Sequence, residues 1–204
     1  MSNALIIFIK KPRPGKVKTR LALSVGDANA LHIYKQLLKH THKISLAVNA
    51  ERFLFYDECI DQDDEWENEY FNKQLQTGND LGEKMNNAFS ETLSRFKNVA
   101  IIGSDCFDLT ASVINEAFQL LKNNDVVIGP ATDGGYYLLA RKKKHPSLFK
   151  NISWSTPQVL EQTTAICKKQ ELSYCLLPTL SDIDVEDDLN SEQKKYLLKK
   201  NSGA

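Results

Sequence analysis

Residues 4–20 read ALIIFIKKPRPGKVKTR. The first six, Ala4–Ile9, are an unbroken apolar run with β-branched side chains, the pattern of a strand covered on both faces. The chain then changes character at once. Lys10, Lys11, Arg13, Lys16, Lys18 and Arg20 place six cations in eleven residues with no acid among them. Pro12 and Pro14 stiffen this loop, and Gly15 lets backbone N–H groups approach an anion. Lysine supplies point charge and arginine a two-pronged fork, so a diphosphate is a fitting partner. This is not a Walker-type phosphate loop, because Val17 follows Gly15-Lys16 and the upstream glycine is missing. A solvated basic turn is the plainer alternative.

The rest of the chain repeats the strand-then-helix alternation. Further strands are expected at Arg52–Tyr56, Gln74–Gln76, Val99–Ile102, Val126–Ile128, Tyr136–Ala140 and Leu172–Leu177. Helices are expected from Asp27, as N-cap, to about Val48, with Ile44–Val48 open to a strand reading. Others fall at Leu81–Phe96, Ala111–Leu121, Pro157–Lys169 and Glu186–Leu198. Continuous apolar strands separated by helices imply βαβ units and a three-layer α/β sandwich with a mostly parallel central sheet covered on both faces. With 204 residues, residues 1–204 are expected to form a single domain.

Lysine plus arginine and aspartate plus glutamate both total 26, so the net charge is zero, which disfavours a nucleic-acid binder working by bulk charge. The zero hides a division. Residues 1–50 carry nine basic residues and one acid, whereas residues 51–80 carry two basic and ten acidic ones. The acidic stretch reads as a solvated surface. No apolar run reaches the ~20 residues needed to cross a membrane, and Leu5–Ile9 is too short for a signal sequence. The four cysteines, Cys59, Cys106, Cys167 and Cys175, show no C-x-x-C spacing, so reduced thiols in a cytoplasmic protein are expected.

In open α/β sheets ligands bind beyond the carboxyl ends of the strands. Four stretches fall there. The basic loop is the first. Gly103-Ser104-Asp105 is the second, and its carboxylate is a candidate ligand for Mg²⁺ or Mn²⁺, which prefer one or two carboxylates plus substrate phosphates. Asp133-Gly134-Gly135-Tyr136 is the third, either a close-approach loop or a hairpin turn. The fourth is Asp182-Ile-Asp184-Val-Glu186-Asp187-Asp188. Asp184 is a candidate second metal ligand, although spacing alone does not separate it from its neighbours, and the last three suit a helix start. Trp154 reads as a core aromatic. His40 and His42 point in different directions on a helix.

The stretches KPRPGKVKTRL, QTGNDLGEKM, IIGSDC, VVIGPATDGGYYLL, LFKNISWST and DIDVEDDL occur in the order found in a bacterial family of GT-A-type, nucleotide-diphospho-sugar-transferase-like proteins. Its members are often labelled arsenosugar-biosynthesis glycosyltransferases. More distantly the chain resembles the guanylyltransferases of 2-phospholactate and of molybdopterin cofactor. The resemblance implies a GT-A, Rossmann-like fold and carries phosphate binding onto Lys11, Arg13, Gly15, Lys18 and Arg20. It puts the metal on Asp105 and Asp184, and substrate contacts on Gln76, Gly78, Asp80, Gly82, Gly103, Ser104, Gly134, Gly135 and Tyr136. Phe107 stands where the family usually has proline.

Three functions follow for testing. One is a metal-dependent glycosyltransferase using a nucleotide-diphosphate sugar, with Lys18, Asp105 and, as general base, Asp133 in the catalytic roles. Another is a nucleotidyltransferase joining a nucleoside triphosphate to a phosphorylated small-molecule acceptor. The last is a nucleotide-binding protein without catalysis. Base, sugar, acceptor, stereochemical outcome and homodimer formation are left open.

Overall fold

The computed structural model describes residues 2–197. β1 (Asn3–Ile9) leads through the basic loop to α1 (Thr19–Val25) and α2 (Asp27–Leu46). Then come β2 (Glu51–Tyr56), β3 (Asn72–Leu75), α3 (Leu81–Thr92) and β4 (Asn98–Ile102). They are followed by α4 (Ala111–Leu120), β5 (Val126–Pro130) and β6 (Tyr136–Arg141). α5 (Val159–Lys169), β7 (Tyr174–Leu176) and α6 (Ser191–Leu197) complete the described chain.

Among the described residues these strands form one seven-stranded sheet in the order β3-β2-β1-β4-β6-β5-β7. β6 runs antiparallel to β4 and β5, and every other pairing is parallel. Alternate residues of β1 divide between two cores, as a period of two requires. Leu5, Ile7 and Ile9 join Tyr34 and Leu38 of α2 and Ile114 and Phe118 of α4. Ala4 and Ile6 join Met85 and Phe89 of α3 and Cys167 of α5. Helices therefore cover both faces, which is the expected three-layer sandwich. No helix among the described residues is long and apolar enough to cross a membrane.

Several local expectations are corrected. α1, which the apolar pattern did not single out, packs Leu21 against Ala30, Ile33 and Leu37 of α2. Asp27 is the first residue of α2 rather than its cap, which is Gly26. Ile44–Leu46 is helix, not strand, because it continues the buried stripe of α2. Pro157 precedes α5, whose cap is Gln158. The expected last helix is divided into a short 3-10 turn, Glu186–Asp188, and α6, while Leu198 lies outside the described residues.

The acidic stretch is more than a solvated surface. Asp61 pairs with Lys11 at 2.9 Å and Glu58 with Arg13 at 2.9 Å. Asp57 accepts the Lys11 N–H at 2.9 Å, and Asp64 pairs with the nearly buried Lys73 at 2.8 Å. Trp66 is buried edge-on to Phe71. Net charges of opposite sign in neighbouring quarters of the chain thus find each other across the end of β1 and β2.

Candidate active site

A cleft of about 1220 Å³ opens at the carboxyl ends of β1 and β4. Lys18 forms its centre. Its ammonium lies 2.8 Å from Asp105 and 3.1 Å from Asp184, and its side chain is only 5% exposed. Asp105 follows β4. Its carbonyl accepts the Ile183 N–H at 2.9 Å, which brings the distant DID segment alongside. Asp188 then accepts the N–H groups of Asp184 and Val185 at 2.7 and 2.8 Å and fixes the turn that presents Asp184. Lys18 itself sits at φ 50, ψ 42, a left-handed conformation that costs a non-glycine residue on the order of 1–2 kcal/mol. Strain of this kind gathers at functional sites.

Burial works against the charge of Lys18, but Asp105 and Asp184 outweigh it and hold its pKa above the usual lysine value. The opposite balance holds at Asp182, which the spacing did not single out. Burial, then the charge of Asp105, pushes its carboxyl up to about 7, with Asp133 and Asp184 adding in the same sense. Tyr34 anchors the loop start: it accepts the Lys10 N–H at 2.8 Å, donates to the Lys10 carbonyl at 3.0 Å, and lies 3.4 Å from Ser104. Burial, reinforced by Asp105, raises its pKa.

The residues expected to bind substrate fall into three groups. Lys18, Arg20, Gly103, Ser104, Asp105, Gly135, Tyr136, Asp133 and Asp184 all line the cleft, as do Gln76 and Asp80. Gln76 donates its amide to the carbonyls of Ile9 and Phe55, stitching the ends of β1 and β2, while its Oε1 accepts from no described residue. Asp80 caps α3 by accepting the Glu83 N–H at 2.8 Å. Asp133 Oδ1 accepts the Gly135 N–H at 2.8 Å, so the carboxylate both shapes its own turn and borders the cleft.

Lys11, Arg13 and Gly15 do not line the cleft. The first two are drawn aside by Asp61 and Glu58, and Gly15 turns the loop at φ 67. Gly78, Gly82 and Gly134 also stand behind the wall. A Cβ on Gly82 would lie 2.4 Å from the indole nitrogen of Trp154, and one on Gly134 only 2.1 Å from the Pro157 carbonyl oxygen. Gly82 and Gly134 thus leave room for the loop 153–157, whereas a Cβ on Gly78 would meet Glu83 and the backbone of Lys84 in α3. Trp154 is half-buried: it packs on the core at Phe149, as expected of a core aromatic, and also borders the cleft.

Among the described residues no three His, Cys, Asp or Glu side chains converge to hold a metal ion. Asp105 and Asp184 supply two half-exposed carboxylates that share one ammonium. That donor set suits Mg²⁺ or Mn²⁺ in the mode where protein carboxylates are few and substrate phosphates and water complete the shell.

The sheet order, the antiparallel β6 and the cleft at the strand ends define a GT-A-type nucleotidyltransferase-like fold. The chain belongs to the family described as "Uncharacterized protein conserved in bacteria (DUF2064)", which it matches over residues 40–156. No curated protein matches its sequence. Among solved structures it is similar to a protein of Desulfovibrio desulfuricans G20, provisionally named a nucleotide-diphospho-sugar transferase. The two share 28% identity over 98% of this chain and 95% of the other, with a TM-score of 0.85. The inositol-1-phosphate CTP transferase of T. maritima matches at 15% identity over 100% and 98% of the two chains, with a TM-score of 0.61. Rv0371c of Mycobacterium tuberculosis H37Rv, in complex with manganese, matches at 9% identity over 98% and 100%, with a TM-score of 0.57. These last two share the fold.

Proposed function

We propose that the chain is a metal-dependent transferase that uses a nucleotide-diphosphate sugar as donor. The observation that carries this reading is the Lys18 ammonium held between Asp105 and Asp184 at the strand ends of a large cleft. The name of the D. desulfuricans relative supports it, and the manganese complex of Rv0371c supports the metal. Asp105 and Asp184 would hold Mg²⁺ or Mn²⁺, which when bound offsets charge on the diphosphate. Lys18, kept protonated by its two carboxylates, stabilises the charge that develops on the departing diphosphate, and its burial keeps competing water away. Lys10 and Arg20 border the same cleft and add cations for the phosphates. For an inverting transfer, Asp133 takes the acceptor's proton on Oδ2, since Oδ1 is engaged by Gly135.

A second reading is a nucleotidyltransferase that joins a nucleoside triphosphate to a phosphorylated acceptor. The end-to-end fold likeness to a CTP transferase favours it, and Lys18 would then stabilise in-line attack at the α-phosphorus and the leaving pyrophosphate. Product analysis separates the two. With Mn²⁺ and nucleotide-sugars the first reading expects free nucleoside diphosphate. Pyrophosphate released from triphosphates in the presence of sugar phosphates establishes the second. Nucleotide binding with neither product leaves a binding protein without catalysis.

A further inference from the structure

The cleft is larger than one small ligand needs. Its about 1220 Å³ exceeds the ~300–1,000 Å³ common for a single ligand pocket. Its charge is also divided. Asp105, Asp133, Asp182 and Asp184 gather with Lys18 on the side of α1. Across the cleft, the first turns of α3 and the turn at 153–156 contribute Lys84, Trp154 and Ser155. Among the described residues no carboxylate comes within ion-pair distance of Lys84. No described group accepts the Trp154 indole N–H or the Ser155 hydroxyl either. The nearby Asp80 is already used as the cap of α3. Three hydrogen-bond donors therefore border one wall without protein acceptors.

That wall is held in place at some cost. Ser155 lies at φ 61, in the left-handed region that a serine enters with strain. Gly82 leaves room for the indole and Gly134 for Pro157. The Leu160 N–H donates to the Gly134 carbonyl at 2.9 Å, so the Trp154 loop is tied to the turn that carries Asp133. A group resting on this wall is thereby set in register with Asp133.

We infer that this wall is the second-substrate subsite and takes a small hydroxylated molecule bearing an anionic group. Lys84 binds the anion, and the Trp154 N–H and Ser155 O–H bind hydroxyl oxygens. The inference rests on the transferase reading, because a transferase must seat an acceptor beside its donor. The anion's source is either a phosphate ester or a carboxylate, and both fit an ammonium.

Trp66 and Trp154 are the chain's two tryptophans, and Trp66 is buried away from the cleft. In a Trp66→Phe background Trp154 reports alone by its emission. Glucose 6-phosphate, glucuronate, glucose and UDP are titrated separately at millimolar concentration, with calorimetry on the unaltered chain as a second readout. The expected result is saturable binding of glucose 6-phosphate, glucuronate or both, which identifies the anion. Lys84→Gln should weaken it at least ~tenfold, as loss of a charge-assisted hydrogen bond does, and leave glucose unaffected. The inference is overturned if neither anionic probe binds or if Lys84→Gln leaves their affinity intact. It is also overturned if UDP, not the sugar acids, saturates the Trp154 signal in a Lys84-dependent way. Nucleotide binding with Mn²⁺, followed by melting temperature, reports separately on the transferase reading. Sugar-phosphate binding without any nucleotide binding would leave the wall assigned and that reading rejected.

Discussion

Lys18 and Lys11 belong to one loop, and each meets acids supplied from elsewhere in the chain. Lys18, its own side chain almost wholly out of water and its backbone left-handed, meets the half-exposed carboxylates of Asp105 and Asp184. Lys11, itself part-exposed, meets a part-exposed Asp61 beside the half-exposed Arg13–Glu58 pair. Water and salt screen the outer pairs, so their net contribution is small. The inner group is different. Taking charges out of water is costly, and removing one partner leaves the others uncompensated. The proposed chemistry rests on that inner group at the centre of the cleft, whereas the outer clasp shapes the loop.

The largest effect that would break this contrast is expected at Lys18. Lys18→Met should lower kcat/KM by about 10²–10³-fold, the loss typical of one preorganised donor at developing negative charge. Steady-state kinetics on the turnover identified by product analysis measures it. A loss of only a few-fold would place Lys18 in a structural role.

The thiols beside the two regions sharpen the comparison. Cys59 lies 3.9 Å from the Lys11 ammonium and from the Arg13 guanidinium in the outer clasp, and it is part-exposed. Cys106 borders the inner group, where burial first and then the charge of Asp182 push its thiol up to about 12. Because that value is raised, the reactive thiolate is scarce at neutral pH and appears only as pH climbs toward 12. Ellman's reagent at pH 8 should therefore modify Cys59 quickly and Cys106 only on unfolding, as mass spectrometry of the labelled peptides would reveal. Rapid labelling of both would mean that the inner site is open to solvent.

The smallest effect belongs to the clasp. Arg13→Gln and Lys11→Gln should leave the melting temperature unchanged within measurement, and raising the salt concentration should narrow even that difference. Their kcat/KM should fall by no more than about threefold, since neither side chain borders the cleft. A loss at Arg13→Gln as large as that at Lys18→Met would mean that the loop swings inward when substrate binds.

Arg141 is a third cation with yet another environment. It is fully buried at the end of β6, stacked 4.2 Å over Phe89 and 4.9 Å over Phe149, and two of its nitrogens have no hydrogen-bond partner among the described residues. Burial pulls its pKa down to about 9. A buried charge without a counter-ion contributes little to stability, so Arg141→Met should fold at least as stably as the parent chain by thermal melting. A strong destabilisation would show that the stacking on the two phenylalanines outweighs the desolvation.

The strand-ending motifs were legible because each is local. An apolar run that stops at charged or glycine-rich residues announces both a buried strand and a crevice beside it. Asp105, Asp133 and the Lys18 loop were found in this way. What joined them was not legible. Lys18 and Asp184 are 166 residues apart, and the Ile183–Asp105 hydrogen bond across the sheet end, with the turn that Asp188 fixes, selects Asp184 from its acidic neighbours. The same holds for Gly82, whose role is the space that it leaves for Trp154. The partners of the acidic stretch are equally illegible, because charge patterning alone carries no information about which distant loop it will face.

The central claim is that Asp105, with Lys18 and Asp184, binds a metal–diphosphate unit. The most direct measurement is the melting temperature of the parent chain and of Asp105→Asn with UDP, GDP, CDP and ADP, each with and without Mn²⁺. A ligand that binds the native state raises the melting temperature by mass action. At least one nucleotide should raise that of the parent chain more with Mn²⁺ than without, and Asp105→Asn should lose the Mn²⁺-dependent part. An equal Mn²⁺-dependent rise in Asp105→Asn would contradict the account.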